Sequence, residues 1–178
     1  NIQPGDHIII NSDLARHGIA IMLEREGISF DHNIQSDCAD VSALVQKLVN
    51  SGVKLHCMRD LTRGGLASGL IELAGASGHH FEIDENSLPI NEDVKSACEI
   101  LGFDPLYIAN EGCFVLFVPA AESERTLSVL HQHALGKQAC VIGQVQGLHD
   151  KGVVTLETAL GISRVLELFS GEQLPRIC

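Results

Sequence analysis

The sequence predicts an α+β domain, a mixed and partly ferredoxin-like sheet flanked by helices. Helical and strand periods are interleaved without a regular strand–helix repeat, and the last third reads strand, helix, strand, strand. The chain has 178 residues, 45% hydrophobic and 20% charged. That suffices for one globular core and argues against disorder. One domain is expected over 1–169, followed by a short tail over 170–178.

The elements follow in order. The apolar run Ile8-Ile9-Ile10 sits between turn residues and predicts a strand over 7–11. A helix over 19–26 should stop at Gly27, and Val41, Leu44, Val45, Leu48 and Val49 make one helical face over 41–49, closed by Gly52. A strand is expected over 53–58, then a helix over 62–76 with Leu66, Leu70, Leu73 and Ala74 on one stripe and Gly78 as its stop. Phe81 to Asp84 alternates as a strand does. Asn91 should cap a helix over 91–101, with Glu92 and Asp93 in its first turn complementing the macrodipole. A buried strand over 113–118 halts at Pro119, and an amphipathic helix fills 121–133. Strands over 139–145 and 153–157 are expected to pair with each other, and 165–169 reads as the last strand.

Net charge is −11, from 23 acidic and 12 basic residues. This excludes a basic nucleic-acid surface and attraction to anionic membranes. No apolar stretch approaches 18 residues and no signal peptide is evident, so the chain reads as cytoplasmic. The first residue is Asn1 rather than methionine, which reads as a piece cut from a longer protein. Six cysteines (38, 57, 98, 113, 140 and 178) include no Cys-x-x-Cys pair and give no metal signature. The five internal ones read as small reduced hydrophobes.

Five places carry chemistry. The tail Leu174-Pro175-Arg176-Ile177-Cys178 ends in a thiol. Arg176 favours its thiolate and the adjacent α-carboxylate opposes it. Nothing follows Cys178, so it is no prenylation site. An unused cysteine, a contact with another chain, and a carrier thiol all stay open. Residues 170–178 could reach about 30 Å at roughly 3.3 Å each. The second place is Arg59-Asp60-Leu61-Thr62-Arg63-Gly64-Gly65, a strand end turning into a helix whose start holds two glycines. Bare amides there suit an anion, aided by Arg59 and Arg63. Equally, Asp60 or Thr62 caps the helix and the glycines permit close packing.

The third place is Asn110-Glu111-Gly112, a tight turn before a buried strand, where Glu111 is either a general base in a cleft or a solvated turn residue. The fourth is Ser36-Asp37-Cys38-Ala39-Asp40, with Asp40 as helix cap and Cys38 expected to pack inward. The fifth is His17-Gly18 at the first helix, where the histidine is a cap, a surface group or a catalyst.

Together, Asp6, Arg16-His17-Gly18, Ser36-Asp37-Cys38-Ala39, Arg59 to Leu66, Asp104-Pro105-Leu106-Tyr107, Ala109 to Gly112 and Pro175 to Cys178 resemble the hydrogenase maturation family HypE. The likeness runs in order along the chain. The Asp-x-Thr-Arg-Gly-Gly string is shared with aminoimidazole ribonucleotide and selenophosphate synthetases, and an enzyme of either type is the alternative. The terminal cysteine argues for HypE. The resemblance implies the C-terminal domain of the aminoimidazole ribonucleotide synthetase type, and an N-terminal domain, absent here, that binds most of ATP and magnesium and forms the homodimer.

It implies that a HypF-type carbamoyltransferase loads Cys178, that ATP-driven dehydration makes a thiocyanate there, and that a HypC–HypD complex receives the cyano group for a nickel–iron hydrogenase. Glu111 is then the candidate base. Arg59, Asp60, Thr62, Arg63, Gly64 and Gly65 face phosphate, with His17, Asp37, Cys38, Asn110 and Arg176 in support. In isolation the chain is expected to be an inactive carrier or docking module. Cys113 stands where the family usually has lysine, Arg16 departs from a Gly-Asp-His-Gly segment, and Leu61 replaces a common proline.

Overall fold

The computed structural model describes residues 1–27 and 34–168. The tail expected over 170–178, including Arg176 and Cys178, and the end of the strand expected over 165–169 lie outside the described residues.

Seven strands form one sheet. They are β1 (Asp6–Ile10), β2 (Cys57–Asp60), β3 (His79–Asp84), β4 (Phe114–Pro119), β5 (Cys140–Leu148), β6 (Val153–Glu157) and β7 (Ser163–Val165), in the spatial order β2-β4-β1-β5-β3-β6-β7. The helices are α1 (Arg16–Glu26), α2 (Ser42–Asn50), α3 (Gly65–Ser77), α4 (Glu92–Leu101) and α5 (Ser123–His131). All neighbouring strands are antiparallel except β3 and β6, so the sheet is mixed, as the irregular strand–helix order implied.

Strand alternation divides the core into two layers. Ile8 and Ile10 of β1, with Val115 and Phe117 of β4, face one cluster built from α1, α3 and α4. Ile9, with Phe114, Leu116 and Val118, faces the other, under Leu44 and Leu48 of α2 and Leu130 of α5. A strand buried on both faces reads as a continuous apolar run, which is why β1 and β4 were legible.

Two expectations are corrected. The strands near 139 and 153 do not pair with each other, because β3 lies between them, antiparallel to β5 and parallel to β6. Their connection wraps the end of α3: the His149 amide donates to Gly78 O, and a Cβ on Gly152 would sit 2.1 Å from Ala74 O. The last strand is Ser163–Val165, shifted toward the start of the chain because it forms a hairpin with β6, Leu156 opposite Arg164.

Boundaries move for local reasons. The second strand begins at Cys57 rather than 53, because ladder bonding with β4 starts only at His56, whose amide donates to Phe117 O. That shift carries Arg59 and Asp60 onto the strand. The third helix starts at Gly65 rather than 62, after the left-handed Gly64 (φ +75°). Asn91 caps α4 as expected, its Oδ1 accepting the Asp93 amide at 2.9 Å.

Candidate functional site

The ends of β1 and β2 and the start of β4 lie side by side, since Ile10 pairs with Val115 and Asp60 with Phe114. The loops that follow β1 and β2 and precede β4 therefore converge at one end of the sheet. Asn11, fully buried, joins them. Its Oδ1 accepts the Phe114 amide (2.7 Å), and its Nδ2 donates to Gly112 O (3.1 Å) and Leu135 O (3.0 Å).

Asn110, also fully buried, does the same on the other side of the turn. Its Oδ1 accepts the Ala15 amide (2.8 Å), while Nδ2 donates to Leu61 O (3.0 Å) and Ile108 O (3.1 Å). The Leu61 amide donates to Cys113 O and the Gly18 amide to Ala109 O. Thus the Glu111 turn is stitched to the 59–65 loop on one flank and to the start of α1 on the other. Ala15 is held at φ +71°, the left-handed region, at a cost of order 1 kcal/mol or more for a residue with a Cβ. The Asn110 bond to its amide holds it there.

Glu111 is partly buried at the tip of this turn. Its amide lies 3.1 and 3.2 Å from the two carboxylate oxygens of Asp37, and the Gly112 amide donates to Asp37 Oδ2 at 3.0 Å. Asp37 is only 6% exposed, and its charge is met by these two amides. A Cβ at Gly112 would lie 2.1 Å from Asp37 O, so the two backbones touch.

The expectation that Cys38 packs inward is corrected. Cys38 is exposed, and the neighbouring Asp37 turns inward because its carboxylate satisfies buried amides that a thiol could not. Ser36 Oγ accepts the Cys38 amide (3.0 Å) and lies 2.8 Å from His17 Nδ1, so His17 sits on the same rim. Asp40 caps the approach to α2 by accepting the Ser42 amide at 2.9 Å.

The 59–65 loop resolves one alternative. The α3 start has no side-chain cap, and the Thr62 hydroxyl donates instead to Asp60 Oδ2 (3.3 Å). Gly65 serves close packing: a Cβ there would meet Ile108 O at 2.5 Å and Leu106 O at 2.7 Å. Arg59 pairs with Glu72 of α3 at 2.5 Å, which fixes its guanidinium against the helix, while Arg63 is exposed at the turn. Cys113, in the position after Glu111-Gly112, is buried with its thiol 3.7 Å from Ser12 O, and burial pushes that thiol far above the ordinary range. It is a core residue and supplies no cation beside Glu111.

The site thus gathers Asp37, Asn110, Glu111, His17 and the 59–65 loop at one sheet end. Among the described residues no group of three or more His, Cys, Asp or Glu side chains is placed to hold a metal ion. Nor is any helix among them long and apolar enough to cross a membrane. Asn11 is the residue that sequence reasoning missed. The signal was available as a polar side chain directly after Ile8-Ile9-Ile10, but its partner Phe114 is 103 residues away.

The family described as AIR synthase related protein, C-terminal domain, matches residues 3–155. Carbamoyl dehydratase HypE of Azotobacter vinelandii is 42% identical over 176 residues, covering 99% of this chain and 51% of that protein. A crystal structure of hydrogenase maturation protein HypE in complex with ATP superposes with a TM-score of 0.93 at 40% identity, over 99% of this chain and 54% of that one. The HypE chain of a HypE–HypF complex matches at a TM-score of 0.87 and 41% identity, over 94% of this chain and 54% of that chain. The chain spans about half the length of the curated relatives it matches.

Proposed function

Because the chain belongs to the AIR synthase related C-terminal domain family and is similar over its whole length to HypE hydrogenase maturation proteins, we propose that it works as the carrier-bearing half of an ATP-dependent carbamoyl dehydratase. The observation that carries this reading is the site itself. A partly buried Glu111, braced by Asp37, sits on a turn that Asn110 ties to the 59–65 loop, at one sheet end.

The chemistry asks for those two parts. A carbamoyl group on the Cys178 sulfur has a poor leaving group in its oxygen. Attack of that oxygen on the γ-phosphorus of ATP, with loss of one N–H proton, releases ADP and leaves an imidate phosphate. Removal of the second N–H proton then expels inorganic phosphate, which takes the oxygen with it, and the carbon–nitrogen triple bond forms. The product is a thiocyanate on Cys178.

Glu111 is the base for nitrogen, held by its backbone so that only the side chain has freedom to move. Arg63 and the Gly64 amide face the departing phosphate, with the Gly65 amide engaged on Thr62 O, Arg59 held alongside by Glu72, and Asp60 and Thr62 shaping the turn. Water must be kept out while the imidate exists, since hydrolysis returns the carbamoyl group. In this reading the magnesium ion that accompanies ATP is held mostly by the part of the relatives that this chain does not match.

The partner that loads the thiol is supported by a relative. A HypF-type carbamoyltransferase would load the thiol, in line with the HypE–HypF complex, and a HypC–HypD complex would take the cyano group. The full-length protein would be a homodimer, with most ATP contacts in the part of the relatives that this chain does not match. Glu111→Gln tests the base: the full-length variant should accept carbamoyl on Cys178 and stall there, with only a slow residual dehydration. Complete dehydration by Glu111→Gln would remove Glu111 from the mechanism.

A further inference from the structure

We propose that Asp37 is the positioning residue for Glu111, acting through the backbone of the turn rather than on substrate. This rests on Glu111 being the base. A buried carboxylate costs several kcal/mol unless its charge is met. Asp37 has no ion-pair partner among the described residues, and its carboxylate is matched by the amides of Glu111 and Gly112. A charge placed against two successive amides of a tight turn is among the stronger neutral-donor arrangements available to a backbone.

The geometry gives those bonds leverage. Glu111 has no regular element beneath it; it precedes β4 by a turn. Its Cα is set by Asn110 before it, by Gly112 after it and by Asp37 across from it. The Asn110 and Asn11 bonds tie the turn to the core, from Ala15, Leu61 and Phe114. Among the described residues the hydrogen bonds that tie the turn to the 36–38 strap are those of Asp37, and Ser36 in that strap also holds His17. Asp37 therefore fixes Glu111 against the strap, while the Gly18 amide to Ala109 O ties the helix start beside His17 to the same turn. A displacement of about 1 Å in a reacting group costs on the order of 100-fold in rate.

The experiment uses full-length protein with Cys178 already carbamoylated, followed by intact mass through a single turnover with ATP. Asp37→Asn keeps one acceptor oxygen and puts an NH2 donor against an amide that is itself a donor. Carbamoyl loading should be unchanged and the thermal midpoint kept within a few degrees, while dehydration slows by roughly 100-fold. Because Asp37 acts through Glu111, adding Asp37→Asn to Glu111→Gln should cost nothing further beyond about twofold. Asp37→Glu, which keeps both acceptors one methylene further out, is the second variant should Asp37→Asn not fold, and it too should slow dehydration.

A wild-type dehydration rate in a folded Asp37 variant overturns the proposal. So does a double variant whose losses multiply. The two assignments also fail separately: a fully active Glu111→Gln removes the base itself, whereas an inactive Glu111→Gln beside a fully active Asp37→Asn removes only the positioning role.

Discussion

Gly65 shows how one missing Cβ can set the geometry of a site. Its neighbours are carbonyl oxygens of the 106–108 turn, at distances where no Cβ fits, and its φ of +61° is itself unfavourable for any side chain. Gly65→Ala should lower stability by about 2 kcal/mol or more, read as a fall in the thermal midpoint, because backbone and not a side-chain tip must move. An unchanged midpoint would show that the helix start is not wedged against that turn. The cysteines divide just as sharply. Burial pushes the Cys98 thiol up to about 12 and Cys140 up to about 11. Cys113 is raised further for the same reason. Iodoacetamide at neutral pH should alkylate exposed Cys38 in the folded chain and leave Cys98, Cys113 and Cys140 unlabelled until denaturant is added, as mapped by peptide mass.

The residue scale is also where the sequence was most informative and most misleading together. Ser36-Asp37-Cys38 was legible as a chemical cluster, yet which side chain points inward depends on amides 74 residues further along the chain. No local pattern contains that information. Arg59 read as a phosphate-side residue, and its pairing with Glu72 of α3 is likewise a contact that no local pattern contains.

Among the elements, those buried on one clear stripe were readable from periodicity, and those defined by their partners were not. Leu44 and Leu48 of α2 are buried as its apolar face required, although Val49 on the same face is 56% exposed. Asn91 announced its own helix. Asn91→Ala should cost α4 about 1 kcal/mol, measured as a shift in the denaturant midpoint at constant slope, since the Asp93 amide loses its acceptor. By contrast β3, β5 and β6 each looked like strands, but their order could not be read. Insertion of β3 between consecutive β5 and β6 is a long-range pairing decided by Phe81 and Ile83 entering the core beside Ile142, Val154 and Leu156.

At the scale of the whole molecule, the sheet works as a mount. Its two layers of helices fix the strands, and one sheet end gathers the loops that carry Asp37, Glu111 and the 59–65 segment. In the proposed reading, the remaining requirement, a nucleotide-holding half, falls to the part of the relatives that this chain does not match. The chain by itself should therefore hydrolyse no ATP, whereas full-length protein should do so in a phosphate-release assay. Robust turnover by these 178 residues alone would contradict the division of labour.

The central claim is that Cys178 carries the group on which Glu111 acts. Full-length protein, incubated with the carbamoyltransferase, carbamoyl phosphate and ATP, should gain one carbamoyl mass in the peptide ending at Cys178, then lose the mass of water from that same peptide. Cys178→Ala should show neither change. Equal modification of Cys178→Ala, or a carbamoyl group that appears and dehydrates on another residue, would contradict the account.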